Sequence, residues 1–302
     1  MTPDEPLLVL DRARILAGGA VTEPLSARGG AARVTFVGNV RPVFRLLARD
    51  ATLASGEARI AGVPLDKAVT NGVAGVALCD PPLPGDWTPE RYLVESARLA
   101  GFARRDAERE VARAIARFEL GAYARRRLAD TYVAVKRVVL LAHATLGSPD
   151  VLCAETPLAE LDPTSRAYVD AALERAAEGR RLLVSVKGTD DAERPLVERA
   201  DWVVVAHGGV LVREGPPGTA LETSSRYAAT VTRSADAFLA ALTARGARAT
   251  PADVAPALLG FVPREPAGVR RVLVELPEGA TPDDIVRAAH CADAPLVELR
   301  AL

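Results

Sequence analysis

Short apolar runs alternate with longer amphipathic segments from Leu7 to Arg213, and this alternation predicts an α/β domain. The apolar runs predict strands at Leu7–Leu10, Arg33–Val37, Ala74–Leu78, Asp150–Ala154, Arg181–Val186, Trp202–Ala206 and Val210–Arg213. The amphipathic segments predict helices at Pro89–Ala100, Asp106–Phe118, Val133–Leu146 and Thr164–Glu178.

Two of these patterns also indicate how the elements pack. The helix predicted over Asp106–Phe118 carries its apolar residues on one face, at Ala107, Val111, Ala114, Ile115 and Phe118. The runs Val151–Ala154 and Leu182–Val186 are apolar throughout, which is typical of strands covered on both faces of a sheet.

The turn sequence Gly215-Pro216-Pro217-Gly218 ends this pattern. Beyond it the sequence predicts strands at Tyr227–Thr232, Arg271–Leu276 and Pro295–Arg300 and helices at Ala235–Arg245 and Thr281–His290. Thr281 has the position of an N-cap, followed by Pro282 and Asp284 in the first turn. We therefore predict two domains, 1–220 and 221–302, the second a small α+β module of split βαβ units.

Composition excludes several classes of function. Lys plus Arg (38) nearly balances Asp plus Glu (39) and aromatic residues make up 4%, so neither charge nor stacking surface argues for nucleic acid. The cysteines Cys79, Cys153 and Cys291 are far apart, and none of the three histidines clusters with them. This spacing argues against a zinc site or a disulfide framework and fits a reducing cytosol.

The sequence also predicts no segment that would insert directly into a membrane. Acidic residues stand at the N-terminus where a secretory signal carries bases, and no apolar stretch reaches the roughly 20 residues of a spanning helix. We expect a cytoplasmic protein that reaches the inner membrane only through a partner.

One segment, Ser148–Pro163 (S-P-D-V-L-C-A-E-T-P-L-A-E-L-D-P), carries a resemblance to a known family. It resembles the Walker B strand and D-loop of ABC transporter ATP-binding subunits, whose pattern is roughly P-D-V-L-L-L-D-E-P-T-A-G-L-D-P. Further matches follow the family's order over Pro6–Pro217, at Phe36–Asn39, Phe44–Ala48, Gly56–Gly62, Asp80–Glu90, Arg180–Lys187 and Ala200–Pro217. The resemblance implies a P-loop NTPase-like ABC nucleotide-binding domain with a helical subdomain. The C-terminal module resembles an appendage of ABC-2-type exporter subunits.

At the position of the phosphate-binding loop, the pattern G-x-x-x-x-G-K-[ST] is absent. Gly38 and Asn39 remain, Val40 or Arg41 falls near the expected lysine, and Pro42 has no N–H. Arg41 could attract an anion, but a solvent-facing or structural arginine is the favoured interpretation.

The resemblance assigns the other nucleotide-handling positions to residues of different chemistry. Glu155 matches the Walker B aspartate, Thr156 the general-base glutamate, Cys79 the Q-loop glutamine and Lys187 the H-loop histidine, while Asp162 of the D-loop is retained and also shapes the turn. The LSGGQ signature is matched by Thr131, Tyr132, Val133, Ala134 and Val135. Their Cβ atoms would occupy the space of a phosphate, although the helix start can persist.

These replacements lead to a charge hypothesis and to three candidate functions. We expect Lys187 to pair with Glu155, the alternative being that both side chains point to water.

The favoured function is a non-catalytic pseudo-ATPase subunit of a membrane export complex, without catalytic residues, metal or cofactor. The alternatives are an ATP-binding subunit with Mg²⁺ and weak ATPase activity driving ABC-2-type export, and a cytosolic scaffold unconnected with transport.

The expected partners are a membrane permease, an intact ABC ATPase subunit, or both. The composite site of the family joins one subunit's P-loop to the other's signature, and this chain has lost both. The segment Asp80–Gly101 nevertheless keeps the family's appearance. Within it, Leu83, Trp87 and Tyr92 are candidate permease contacts, the alternative being that they pack between subdomains.

Overall fold

The computed structural model describes residues 5–30, 32–188, 193–207, 210–220, 226–251, 270–277 and 280–301. Two units divide the chain, Met1–Leu221 and Glu222–Leu302. Within the described residues, no helix is both long enough and apolar enough to span a membrane.

The strands of the first unit are β1 (Leu8–Ala17), β2 (Ala20–Val21), β3 (Leu25–Arg28), β4 (Arg33–Val37), β5 (Thr52–Ile60), β6 (Val63–Pro64), β7 (Ala74–Ala77), β8 (Val151–Ala154), β9 (Arg181–Val186), β10 (Trp202–His207) and β11 (Val210–Gly215). Its helices are α1 (Arg41–Leu47), α2 (Leu65–Ala68), α3 (Pro89–Leu99), α4 (Arg104–Arg117), α5 (Val133–Ala144), α6 (Pro163–Ala177), α7 (Arg194–Glu198) and α8 (Pro217–Ala220), with a 3₁₀ turn at Leu128–Asp130.

A six-stranded sheet of order β11-β10-β4-β9-β8-β7 forms the centre of this unit. All neighbouring strands are parallel except the β10–β11 pair. Strand β8 shows how both faces are buried, because Leu152 and Ala154 belong to one hydrophobic cluster and Val151 and Cys153 to another. The two-sided burial predicted from its continuous apolar run is confirmed.

Two further layers cover the central sheet. On one face, α3 and α4 pack with α5, and the predicted apolar face of α4 is confirmed by the burial of Ala107, Val111 and Ala114. On the other face lies an antiparallel sheet of order β2-β1-β5-β6, with β3 also paired to β1. The hairpin expected around Gly56–Gly62 is the β5–β6 pair, with Ile60 opposite Val63.

The second unit comprises β12 (Arg226–Val231), α9 (Ala235–Thr243), β13 (Arg248–Pro251), β14 (Arg270–Glu275), α10 (Pro282–Cys291) and β15 (Leu296–Ala301). Its strands form a sheet of order β13-β14-β12-β15 in which all pairs are antiparallel, which is the arrangement of a split βαβ unit. The predicted cap of α10 is present, since the Thr281 N–H donates to Asp284 at 2.9 Å.

Candidate functional site

Most residues that the sequence assigned to a nucleotide site lie at one edge of the central sheet. Gly38 follows β4, Cys79 follows β7, Glu155 and Thr156 follow β8, and Lys187 follows β9. Because these four strands are parallel, their carboxyl ends meet at the same edge, where open α/β sheets carry their ligand sites. We call Arg41, Cys79, Glu155 and Thr156, with the loop 38–40, the edge site.

The loop between β4 and α1 has three residues, Gly38 to Val40. Gly38 adopts a φ of +104°, and a Cβ added there would lie 2.1 Å from the carbonyl oxygen of Ala206 on β10. Its N–H donates to the carbonyl of Val186 at 2.9 Å. The glycine is therefore required by backbone conformation and by close packing against β10. Asn39 Oδ1 accepts the N–H of Arg41 at 3.3 Å.

Helix α1, which follows this loop, has seven residues and carries a proline in its first turn. Its buried residues Val43, Phe44, Leu46 and Leu47 join the hydrophobic cluster beneath the antiparallel sheet. Arg41 stands at the start of the helix and is 68% exposed. Apolar packing of the opposite helix face holds α1 in place.

Glu155 is the buried carboxylate of the edge site, with 7% of its side chain exposed. Its Oε2 accepts the N–H of Cys79 at 3.0 Å, and its Oε1 lies 3.6 Å from Arg41 Nε. Burial raises the pKa of Glu155, and the Cys79 N–H and the charge of Arg41 oppose that rise. Arg41 thus lies beside Glu155 while most of its side chain is exposed, and the solvent-facing or structural role favoured from the sequence stays a prediction.

The predicted pair between Lys187 and Glu155 is wrong. The ammonium group of Lys187 forms an ion pair with Glu160 in the D-loop, and both side chains are largely exposed. The Lys187 N–H donates to Glu193 Oε2 at 2.7 Å, and Glu155 already has Arg41 beside it. Arg41, at the start of α1, supplies the countercharge that was expected from the end of β9.

Thr156 and Cys79 complete the edge site. Thr156 has a φ of +37°, and its N–H donates to the hydroxyl of Ser185, a buried residue of β9, at 3.1 Å. Burial raises the pKa of the Cys79 thiol, an effect that the hydrogen bond with the Thr156 side chain and the charge of Arg137 oppose. Thr156 contributes hydrogen bonds here and, as a hydroxyl residue, offers no general base at neutral pH.

Asp162 acts as a helix cap. Its Oδ1 accepts the N–H groups of Thr164 at 3.0 Å and Ser165 at 3.1 Å, at the start of α6. A hydrogen bond with the Ser165 side chain, together with these two backbone hydrogen bonds, lowers the pKa of Asp162. The turn-shaping role predicted for this residue is confirmed.

The residues matched to the signature, Thr131–Val135, surround the start of α5, which begins at Val133 with Tyr132 as N-cap. The helix start therefore persists, as predicted. The Thr131 hydroxyl donates to the carbonyl of Leu128 at 2.9 Å, and Ala134 and Val135 are buried. Tyr132 and Val133 instead leave 69% and 48% of their surface exposed, so this helix start presents apolar groups.

Arg137 is a functional candidate that the sequence reasoning missed. It is 5% exposed, and its Nη1 donates to the carbonyls of Pro157, at 3.0 Å, and Ala159. Its Nη2 contacts Asp80 Oδ2 at 3.1 Å. Burial alone would raise the pKa of Asp80, but the hydrogen bond and charge of Arg137 lower it. The signal in the sequence is an arginine within the apolar run of α5, between Val135 and Val138.

Comparison with known proteins finds similarity to ABC transporter proteins. No family model matches the chain. It is 27% identical over 183 residues to the Nod factor export ATP-binding protein I of Neorhizobium galegae, covering 60% of this chain and 52% of that protein. It is also 26% identical over 134 residues to the ABC transporter ced-7 of Caenorhabditis elegans, covering 44% of this chain and 8% of that protein. The matches support an ABC transporter ATP-binding-type domain.

The match spans about half the length of the first of these relatives, and the mixed α/β architecture is compatible with the P-loop fold of such domains. Within this ABC-type domain, the edge site lies where parallel strands end. In the described part of the chain, no group of three or more His, Cys, Asp or Glu side chains could hold a metal ion.

The three candidate permease contacts of the ABC-type domain occupy different environments. The Tyr92 hydroxyl lies 3.3 Å from His143 Nδ1, and its ring packs against the hydrophobic cluster that contains Leu152 of β8. Tyr92 therefore agrees with the alternative prediction of internal packing. The guanidinium group of Arg91 lies over the Trp87 ring in a cation–π contact, 4.6 Å from the ring centroid. Leu83 lines a surface groove.

This groove has a volume of about 280 Å³. It brings Leu83 together with Val133 of the signature segment, two positions that the sequence assigned to separate sites. We call it the groove; its wall includes Asp80, Leu83, Leu128, Val133, Lys136 and Leu140.

Proposed function

We propose that the chain is a non-catalytic ABC-transporter-type subunit, a pseudo-ATPase, with a structural or regulatory role in a membrane export complex. The observation that carries the proposal is the contact between Arg41 and Glu155 at 3.6 Å. Glu155 takes the place of the family's magnesium-orienting aspartate, and Arg41 follows the loop that would hold phosphates. The protein's own arginine thus supplies the positive charge that a metal ion would bring.

The residues present do not fit Mg²⁺–ATP. A phosphate-binding loop needs successive backbone N–H groups, a lysine and a hydroxyl ligand for the metal. The three-residue loop leads into Pro42, which has no N–H, and no lysine lies between Gly38 and Ala48. Thr156 stands where a carboxylate would activate water. We therefore infer no nucleotide-dependent step for this chain.

The proposed partners are a membrane permease, an intact ABC ATPase subunit, or both, and the proposed location is the cytoplasmic side of a membrane through such a partner. Support comes from the first relative, whose name describes an export ATP-binding protein. Because this chain spans 52% of that relative, partner and transported substrate are proposals for experiment.

Isothermal titration calorimetry with ATP, with and without Mg²⁺, tests the proposal directly. An intact ABC ATP-binding protein serves as the positive control under the same conditions. We expect no saturable heat from this chain at concentrations that saturate the control. Mg²⁺-dependent binding in the micromolar range would reject the pseudo-ATPase proposal in favour of the ATP-binding subunit that the relatives' names suggest.

A second experiment distinguishes the hypothesis of a transport subunit from that of a cytosolic scaffold. The tagged chain is coexpressed with a candidate ABC-2-type permease and isolated from detergent-solubilised membranes. We expect the two to copurify in a fixed ratio. Recovery of the chain from the soluble fraction alone, with the permease folded and present, would favour the scaffold.

A further inference from the structure

We infer that a pocket in the second unit binds a free α-amino acid with an aliphatic side chain. The pocket, here called the C-terminal pocket, is lined by Leu242, Arg245, Ala247, Leu276, Ala280 and Asp284. None of these residues belongs to the edge site or to the groove, so the inference does not depend on the proposed function. The size of the pocket, its apolar floor and its two charges together favour this class of ligand.

The C-terminal pocket lies between the end of α9 and the start of α10, at one end of the four-stranded sheet. Arg245 stands in the turn that ends α9, where the next residue, Gly246, has a φ of +80° and donates its N–H to the carbonyl of Thr243 at 2.9 Å. Asp284 stands in the first turn of α10 and accepts the Thr281 N–H at 2.9 Å. Both charged residues therefore belong to helix ends that hydrogen bonds hold in place.

Apolar side chains form the floor of the C-terminal pocket. Leu242, Ala247 and Leu276 are buried, and Ala280 is half-buried. The volume of about 230 Å³ is below the roughly 300–1,000 Å³ of typical pockets for drug-sized molecules. The pocket therefore suits a ligand of amino-acid size, whose aliphatic side chain would cover the apolar floor.

Arg245 supplies a cation to the C-terminal pocket. Its side chain is exposed, and the contacts that its guanidinium makes within the described part of the chain are long, 3.5 Å to the Ala241 carbonyl and 3.6 Å to Cys291 Sγ. A guanidinium has five N–H donors in a planar fork, and a carboxylate can accept two of them at once. Arg245 is therefore suited to hold the carboxylate of a ligand.

Asp284 supplies the opposite charge. Its half-buried carboxylate lies 3.8 Å from Arg287 Nη1, in addition to accepting the Thr281 N–H. The hydrogen bond from Thr281 lowers the pKa of Asp284, and the charges of Arg287 and Arg245 lower it further, so the carboxylate is ionised at neutral pH. Arg245 acts on Asp284 from beyond the 4.0 Å of an ion pair. Two opposite charges that line one pocket without touching fit the two ends of a zwitterion, whereas a simple acid or amine would meet a like charge.

Calorimetric titration of the full chain with compounds that share one isobutyl group tests the inference. L-leucine carries both charges, 4-methylpentanoate lacks the ammonium group, and 3-methylbutylamine lacks the carboxylate. We expect leucine to bind with a Kd of about 1 mM or below, and each of the other two compounds to bind at least about tenfold more weakly. Glycine keeps both charges without the side chain and is also expected to bind at least about tenfold more weakly than leucine.

Substitutions locate the site. Arg245→Gln and Asp284→Asn are each expected to weaken leucine binding by about tenfold, and the asparagine keeps an acceptor for the Thr281 N–H. Arg233→Gln is the matched control, because Arg233 is an arginine of the same unit that pairs with Asp293 outside the pocket, and it is expected to leave the affinity unchanged. Equal affinities for leucine and 4-methylpentanoate, or equal effects of Arg245→Gln and Arg233→Gln, would overturn the inference.

The leucine titration and the ATP titration report on different units of the chain. We expect saturable heat from leucine and none from ATP. ATP binding together with selective leucine binding would reject the pseudo-ATPase proposal and leave the pocket assignment standing. No saturable heat from leucine at about 10 mM, well above the expected Kd, would overturn the pocket assignment whatever the ATP result.

Discussion

The edge site and the groove are connected through Cys79 and Asp80, yet they differ in how their charges are satisfied. In the edge site, the buried carboxylate of Glu155 has the Cys79 N–H and the Arg41 guanidinium as partners. In the groove, the partly exposed carboxylate of Asp80 pairs with Arg137 at 3.1 Å, and the charge of Lys136 also lowers the pKa of Asp80. A buried charge is costly unless it is paired. The two regions are therefore paired in opposite ways: the edge site holds a buried carboxylate beside an exposed arginine, and the groove holds a partly exposed carboxylate beside a buried arginine.

The largest expected effect comes from Arg137→Ala, which removes the residue that serves both regions. The substitution leaves the carbonyls of Pro157 and Ala159 and the Asp80 carboxylate without their donor. We expect the free energy of unfolding to fall by about 2–4 kcal/mol, measured by urea denaturation. The exposed Arg125→Ala is the control and should change it by less than about 0.5 kcal/mol. A loss below about 1 kcal/mol in Arg137→Ala would contradict the role of Arg137 as a shared buried partner.

The next effect distinguishes the hydrogen bond from the ion pair at Glu155. Glu155→Ala leaves the Cys79 N–H without its acceptor, and we expect a loss of about 1–3 kcal/mol. Glu155→Gln keeps an acceptor oxygen and should lose less than half of that. Arg41→Ala should cost less than about 0.5 kcal/mol, because Arg41 is 68% exposed. If Arg41→Ala proved as costly as Glu155→Ala, the ion pair would be the dominant interaction.

A pH series distinguishes the two carboxylates, because the pKa of Glu155 is raised and that of Asp80 is lowered in the folded state. The pKa of Glu155 is raised in the folded state, so its contribution to stability falls as pH rises from 4.5 through that pKa. The pKa of Asp80 is lowered, so its contribution is present above pH 3.8 and is lost as pH falls through the lowered pKa. Relative to wild type, the stability cost of Glu155→Gln should therefore decrease with rising pH and that of Asp80→Asn should increase. Parallel curves for the two variants would refute this contrast.

The smallest expected effect on stability belongs to Lys136→Gln. Lys136 acts on the Asp80 carboxylate only at longer range than an ion pair, so its removal should change the free energy of unfolding by less than about 0.5 kcal/mol. Lys67→Gln provides the comparison in the same denaturation experiment. A loss above about 1 kcal/mol specific to Lys136→Gln would assign the lysine to the folded core of this unit.

The central sheet could be predicted closely from the sequence. The predicted bounds of β4 and β9 agree with the structure to the residue, because strands buried on both faces are continuous apolar runs. Strand β5 was predicted only in part, as a hairpin around Gly56–Gly62, since most of its side chains are exposed and it has no apolar run. Strand β1 extends to Ala17, well beyond the predicted Leu10, for the same reason.

The residues of the candidate site could be predicted, but their partners could not. The family resemblance assigned Cys79, Glu155 and Lys187 to one site, and in the structure they follow three neighbouring parallel strands. The partner of Lys187 depends on the path of the D-loop, which brings Glu160 to it, and on the short loop that brings Arg41 to Glu155. Such paths depend on tertiary packing, and no spacing in the sequence encodes them.

The length of the loop between β4 and α1 has a consequence for evolution and for protein engineering. Substituting lysine for Arg41 and a hydroxyl residue for Pro42 would still leave three residues, Gly38 to Val40, to cross from strand to helix. Under the proposed function, ATP binding is therefore not recoverable by point substitutions; it requires an insertion, and the inserted residues would have to displace a helix fixed by four buried side chains. A loop that is too short is far harder to restore by drift than side chains changed by single replacements.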